Sequence, residues 1–260
     1  MKYDIGEILK FETIEKDFPK LTEKNVKLID FIIKNDSNYR SDNDEINVTS
    51  TLNLVKKYKN EQSKENLEKI IKSIDKQNST HLSVSGNKKG DNKGIESTVS
   101  YLYDEIGVEK LNKQIKDGDN SLVDKIAINS INNRYIISFA SKFCTYMSRY
   151  MFNDDKFSIY DGIMASILPY YYYRYSNDKE KIIITNKKIQ NNGYQWYSSI
   201  IDSVIKGAKN TENYEISRKD LDHLLWYYYK GDKDIKDDNK NICYKSRITR
   251  ALEAINKKSK

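Results

Sequence analysis

Apolar residues recur along this chain at intervals of three and four far more often than at two, and only two prolines, Pro19 and Pro169, interrupt 260 residues. Spacing of that kind places apolar side chains on one face of a helix, so the expected fold class is all-α. Residues 54–74 (LVKKYKNEQSKENLEKIIKSI) form a helix or a helix pair, with Leu67, Ile70, Ile71 and Ile74 as one apolar stripe and charge on the other face. Residues 75–94 carry no periodicity, three glycines and four lysines, and are expected to be a loop or linker, a natural place to divide two subdomains.

Beyond that loop the helical signal is denser. Residues 96–106 end at a Gly107 stop, and 119–131 begin at Asp119 or Asn120 as N-cap. Residues 134–152 (RYIISFASKFCTYMSRYMF) form a strong helix ended by the loop FNDDKFS. Residues 158–175 start with Ser158 as candidate N-cap, and Pro169 is a point where that helix kinks or stops. Helices follow over 194–209 and 217–231, the latter capped by Ser217 and closed by Gly231. A basic terminal helix completes the chain. The expected organisation is an N-terminal helical region, 1–90, and a helical core, 95–260.

Composition narrows the chemistry. Two cysteines, Cys144 and Cys243, and two histidines, His81 and His223, suit neither a disulfide scaffold nor a zinc or iron–sulfur site. The N-terminal residues mix acids with apolar side chains, unlike a secretory signal, and no apolar run reaches membrane-spanning length. The expectation is a soluble, cytoplasmic protein with no metal and no organic cofactor. Formal charge is +7, a mild excess, but residues 241–260 hold six basic side chains against one acid. Lys245, Arg247 and Arg250 in that stretch suit a phosphate backbone, or simply a solvated helix face. The glycine–lysine loop could reach an anion too, although its spacing matches no nucleotide-binding fingerprint. Twenty-one tyrosines, several in runs beside basic residues, suit either stacking on unpaired bases or packing between helices with wet hydroxyls.

Two residues remain. On the helix 134–152, the apolar face is Ile136, Ile137, Phe139, Ala140, Phe143, Cys144, Met147 and Met151, while Ser138, Ser141, Lys142, Thr145 and Arg149 gather opposite. Periodicity alone makes Lys142 a solvent-facing charge and Asp161 a helix-start acid.

The order Ser138-Phe139-Ala140-Ser141-Lys142, followed nineteen positions after the lysine by Ile159-Tyr160-Asp161, resembles the core of the helix-hairpin-helix DNA glycosylases, the superfamily of endonuclease III and 8-oxoguanine DNA glycosylase. That family has a hairpin ending Gly-[Val/Leu]-Gly-x-Lys and then an apolar-Asp step beginning another helix. SFASKFC, FSIYDGIM and RKDLDHLLWYYYKG are most similar to a divergent bacterial branch with an 8-oxoguanine glycosylase fold, which includes an anti-phage enzyme. The resemblance covers about residues 95–232 and is specific over about fifty of them.

It implies a glycosylase-like fold with a degenerate hairpin, DNA as partner, and excision of an abnormal or hypermodified base, phage DNA being one source. By that resemblance Asp161 stabilises oxocarbenium charge or activates water, and Lys142 attacks C1′ to form a Schiff base. For the latter, the lysine's reference pKa of about 10.4 must fall to about 7 or 8. Ser138, Ser141, Arg149, Tyr160 and Trp226 are the expected nucleic-acid contacts alongside the basic terminus. Ser138 and Ala140 stand where the family has its hairpin glycines, and Gly162-Ile163 replaces its Thr-His. A non-catalytic nucleic-acid-binding helical protein with the same fold, and a helical interaction protein with incidental charge, are the alternatives.

Overall fold

The computed structural model describes residues 19–35, 50–78, 80–83, 93–131, 134–236 and 242–246, with backbone alone for 231–236 and 242–246. The fold is all-α. Among the described residues the helices are α1 (Glu23–Asn35), α2 (Thr51–Asn60), α3 (Lys64–Asn78), α4 (Lys93–Ser100), α5 (Val108–Asp117), α6 (Asn120–Asn129), α7 (Ile137–Met151), α8 (Gly162–Tyr175), α9 (Asn186–Asn192), α10 (Tyr194–Glu212) and α11 (Arg218–Tyr229). A π-helical turn, Tyr101–Ile106, continues α4. No helix of the described residues is long and apolar enough to cross a membrane.

The chain divides into two compact units. One comprises residues 1–40, 161–184 and 199–260; the other comprises 41–160 and 185–198. The division does not follow the 75–94 loop, because α3 and α4, on either side of it, pack together in the second unit.

In the second unit the 54–74 stretch is a helix pair. Ser50 caps α2 through a hydrogen bond from Asn53 N, and Thr51 and Ser73 hydroxyls meet at 2.9 Å between the two helices. The stripe Leu67, Ile70, Ile71 and Ile74 is buried as its period requires. Helix α7 is the centre, packing on α2, α3, α5 and α6.

The loop expected over 75–94 is shorter, because α3 runs to Asn78 and α4 begins at Lys93. Asp75, in the last turn of α3, holds the residues that follow, its carboxylate accepting from Thr80 Oγ1 (2.6 Å), Leu82 N (2.7 Å) and Ser83 N (3.1 Å). Burial raises its pKa, but these hydrogen bonds outweigh burial and hold it below the usual carboxylate range. A group with a lowered folded pKa stabilises the fold above its unfolded value and loses that stabilisation as pH falls through the folded pKa. Stability of the wild type should therefore fall as pH drops below about 4. Asp75→Asn should lower stability by about 1–3 kcal/mol at pH 7 and flatten this acid limb, as read by urea unfolding from pH 3 to 7.

In the first unit α11 packs on α8 and α1. Ser217 and Asp220 form a reciprocal capping box at the start of α11, as Ser217 predicted. Within the tyrosine runs Tyr170, Tyr171, Tyr175 and Tyr227 are core while Tyr172, Tyr173, Tyr228 and Tyr229 are partly exposed, and the hydroxyls of Tyr171 and Tyr175 are bonded inside the fold rather than wet. Tyr171 OH donates to Pro19 O at 2.9 Å, and Tyr175 OH accepts from Leu21 N at 3.1 Å. Pro169 neither starts nor ends α8, which runs through it with Pro169 buried; only the bond to the Ala165 carbonyl is lost.

The expected terminal helix is corrected over its first residues. Gly231–Lys236 (β1) and Ile242–Ser246 (β2) pair as antiparallel strands with an irregularity between Asp232 and Ile235. Ile242 and Tyr244 alternate at period two and favour extended backbone. Residues 247–260 lie outside the described residues.

Candidate functional site

Helix α7 begins at Ile137, three residues later than the periodicity predicts, with Ile136 as an N-cap that makes no side-chain hydrogen bond. Phe139, Ala140, Phe143, Cys144, Met147 and Met151 are buried, as expected. The opposite face is buried as well, which the pattern of polar residues does not predict. Ser141, Thr145 and Ser148 have no exposed surface, and Lys142 is 5% exposed. Packing of α7 against four other helices is the reason: only Ser138, Tyr146, Arg149 and Tyr150 keep partial exposure.

Lys142 is therefore an interior lysine, and the expectation that it faces water is overturned. Its Nζ donates to Ser138 Oγ, one turn earlier, at 3.0 Å. Thr145 Oγ1, one turn later than Ser141, is buried with no hydrogen-bond partner among the described residues. Cys144 on the same helix is wholly buried, and burial pushes its thiol far above the usual range, so it is no nucleophile.

Ser141 and Arg149 are committed within the fold. Ser141 Oγ accepts from Tyr160 N at 3.0 Å and donates to Ser138 O at 3.3 Å. The Arg149 side chain is 8% exposed and its Nε pairs with Asp155 at 2.7 Å, fastening the loop that ends α7. Both side chains are thus engaged by groups of the fold itself.

The loop then runs through a buried segment, Phe157–Tyr160, fixed by side chains of α9, α10 and α7. Ser158 N donates to Tyr194 OH at 2.8 Å, and that hydroxyl donates back to Ser158 O. Tyr197 OH donates to Ile159 O at 2.6 Å. Tyr160 OH donates to Asn186 Oδ1 at 2.6 Å, while its ring stands edge-on to Tyr197 with centroids 5.4 Å apart. Tyr160 is thus a core aromatic at 5% exposure, and no face of it is open for a base. Asp124 holds the start of α10: both carboxylate oxygens accept from Tyr194 N at 2.9 Å. Burial raises the Asp124 pKa, more than the hydrogen bond from Tyr194 N lowers it.

Asp161 follows immediately and belongs to the other unit. It is the N-cap of α8, with extended backbone (φ −148°, ψ −175°) and Oδ1 accepting from Ile163 N and Met164 N, both at 3.0 Å. Ser158, the N-cap expected from sequence, is buried three residues upstream. Aspartate competes well for this position because its carboxylate satisfies two orphan amides and faces the positive end of the helix. Asp161 is partly exposed, and its Oδ2 lies outside the cap.

In the first unit Trp226 is partly exposed on α11, with the Lys230 ammonium 4.9 Å from its ring centroid. That pairing is a cation–π contact. Lys245 lies on β2 opposite Asp232, and Arg247 and Arg250 lie outside the described residues. Asn186, Tyr194 and Tyr197 were not singled out in the sequence. Their partners are mostly backbone atoms, which leave no residue pattern to read. No protein-family model, no curated protein and no solved structure matches this chain.

Proposed function

We propose that the protein is a DNA glycosylase that removes an abnormal or hypermodified base, with Asp161 as the catalytic carboxylate and Lys142 as a second reacting group. The observation that carries this reading is the Asp161 carboxylate, partly exposed with its Oδ2 outside the cap, at the position of the family's aspartate. Taking an ammonium out of water costs several kcal/mol before its partners repay any of it, and an apolar side chain of similar size would avoid that penalty. Lys142, whose Nζ is held by Ser138 Oγ, is the residue that matches the lysine of the family pattern.

In hydrolysis, water adds to C1′ as the N-glycosidic bond breaks, its electron pair leaving with the base. The Asp161 carboxylate offsets the positive charge on the sugar and accepts the proton from water. In the lyase variant a neutral Lys142 amine attacks C1′ in place of water: the N-glycosidic electron pair leaves with the base, the amine loses a proton, and cleavage of the C1′–O4′ bond opens the sugar to give a Schiff base.

Borohydride reduction tests the second route. The wild type is expected to form a covalent protein–DNA adduct on a DNA from which it releases base, and Lys142→Gln, which keeps a donor for Ser138, is expected to form none. Base release without an adduct would make the enzyme monofunctional, with Asp161 acting alone. One observation favours a non-catalytic nucleic-acid-binding protein instead. The cap bonds of Asp161 already give this residue a complete structural role.

A further inference from the structure

We infer that Ser141, Tyr194 and Tyr197 are positioning residues for Asp161, a role that rests on the proposed glycosylase reading. The nineteen residues that separate Lys142 from Asp161 also separate Ser141 from Tyr160, and Ser141 and Tyr160 are hydrogen bonded in the interior at 3.0 Å. Each end of that bond is one peptide unit away from a proposed reacting residue.

The segment entering Asp161 is fastened at three successive residues. Ser158 is held at both its N–H and its C=O by Tyr194 OH, Ile159 at its C=O by Tyr197 OH, and Tyr160 at its N–H by Ser141 Oγ. Ser158, Ile159 and Tyr160 are all buried, as are the three side chains that hold them. Backbone outside a helix or sheet has no regular hydrogen-bond partner, so its polar groups would otherwise be unsatisfied in the interior. Here hydroxyls substitute for a neighbouring strand.

Two features show that the clamp is rigid rather than incidental. The donors come from one helix face, Tyr194 and Tyr197 being three residues apart on α10 with ring centroids 5.6 Å apart. The beginning of α10 is itself fixed by Asp124, so Tyr194 cannot slide without breaking that bond. The consequence is that the backbone leading into Asp161 has one register. Catalysis by a charged group depends steeply on such placement: a shift of about 1 Å can lower a rate roughly 100-fold.

The test is single-turnover base excision at saturating protein, with DNA affinity and melting temperature measured in parallel, for wild type, Asp161→Asn, Ser141→Ala and Tyr197→Phe. Tyr197→Phe removes only a hydroxyl and keeps the ring contacts, so it carries the test should Ser141→Ala fail to fold. Positioning predicts a loss of roughly 10- to 100-fold in excision rate with DNA affinity unchanged in both clamp variants. If the wild type excises, Asp161→Asn does not, and the clamp variants change only the melting temperature, the positioning role is overturned while the glycosylase reading stands. If the wild type releases no base from phage-modified or damaged DNA, the reading fails and the positioning role with it.

Discussion

Asp161→Asn should abolish base release, with a rate loss of at least about 100-fold, while leaving the stability of the protein within about 0.5 kcal/mol of wild type. Two roles of one side chain are separated by this substitution. As N-cap, Asp161 accepts from Ile163 N and Met164 N through Oδ1 alone, and asparagine offers the same carbonyl oxygen and caps helices about as well. As a catalytic group it needs the negative charge and a basic oxygen, which asparagine lacks. Asp161→Ala makes the contrast sharp: it removes the cap as well and should lower stability by about 1 kcal/mol. Excision kinetics and urea unfolding on the two variants read both roles. Equal activity in wild type and Asp161→Asn would leave this residue as a helix cap and nothing more.

The largest effect on stability is expected at Gly207, in the interior of α10. Glycine in a helix is ordinarily less favourable than alanine by about 1 kcal/mol, so Gly207→Ala would stabilise an isolated helix. Here a Cβ at Gly207 would lie 1.9 Å from Tyr175 O and 2.6 Å from Tyr175 C. These are backbone atoms at the last residue of α8, and they cannot rotate aside. Tyr175 is further held through its hydroxyl by Leu21 N and Glu212. Separating the two helices should cost about 2–4 kcal/mol, more than the helix preference returns. Gly162→Ala is the control, because a Cβ there meets nothing within 4 Å. Urea unfolding should show a lower midpoint for Gly207→Ala with an unchanged slope, and little change for Gly162→Ala.

Spacing alone reveals much of the helical framework, and its failures have physical causes. The apolar stripe of α3 and the capping box of α11 follow from local chemistry and are found where residue order puts them. Lys142 shows the limit. Periodicity sorts side chains by which face prefers water, and on α7 it sorts them correctly into apolar and polar faces. It cannot report that four helices pack on α7 and bury Ser141, Lys142 and Thr145 of the polar face as well. Small hydroxyl residues make this tolerable, since Ser141 and Ser148 each donate to a nearby carbonyl, Ser138 O and Asp154 O. The tyrosines show a second limit. A ring's burial can be anticipated from its neighbours, but the hydroxyls of Tyr194 and Tyr197 find backbone atoms more than thirty residues away. The paired strands β1 and β2 show a third, because a basic stretch predicts one helix although Ile242 and Tyr244 alternate at period two.

The glycosylase reading joins these observations to the resemblance carried by residues 138–142 and 159–161. It meets its most direct test in the formation of abasic sites by the wild-type protein. Purified protein should be incubated with unmodified DNA and with phage DNA carrying modified bases, and released base and aldehyde-reactive abasic sites should be counted. The expected result is release of free base from the modified DNA with an equal number of abasic sites. Tight binding to either DNA with no base released and no abasic site formed would contradict it and identify a non-catalytic nucleic-acid-binding protein.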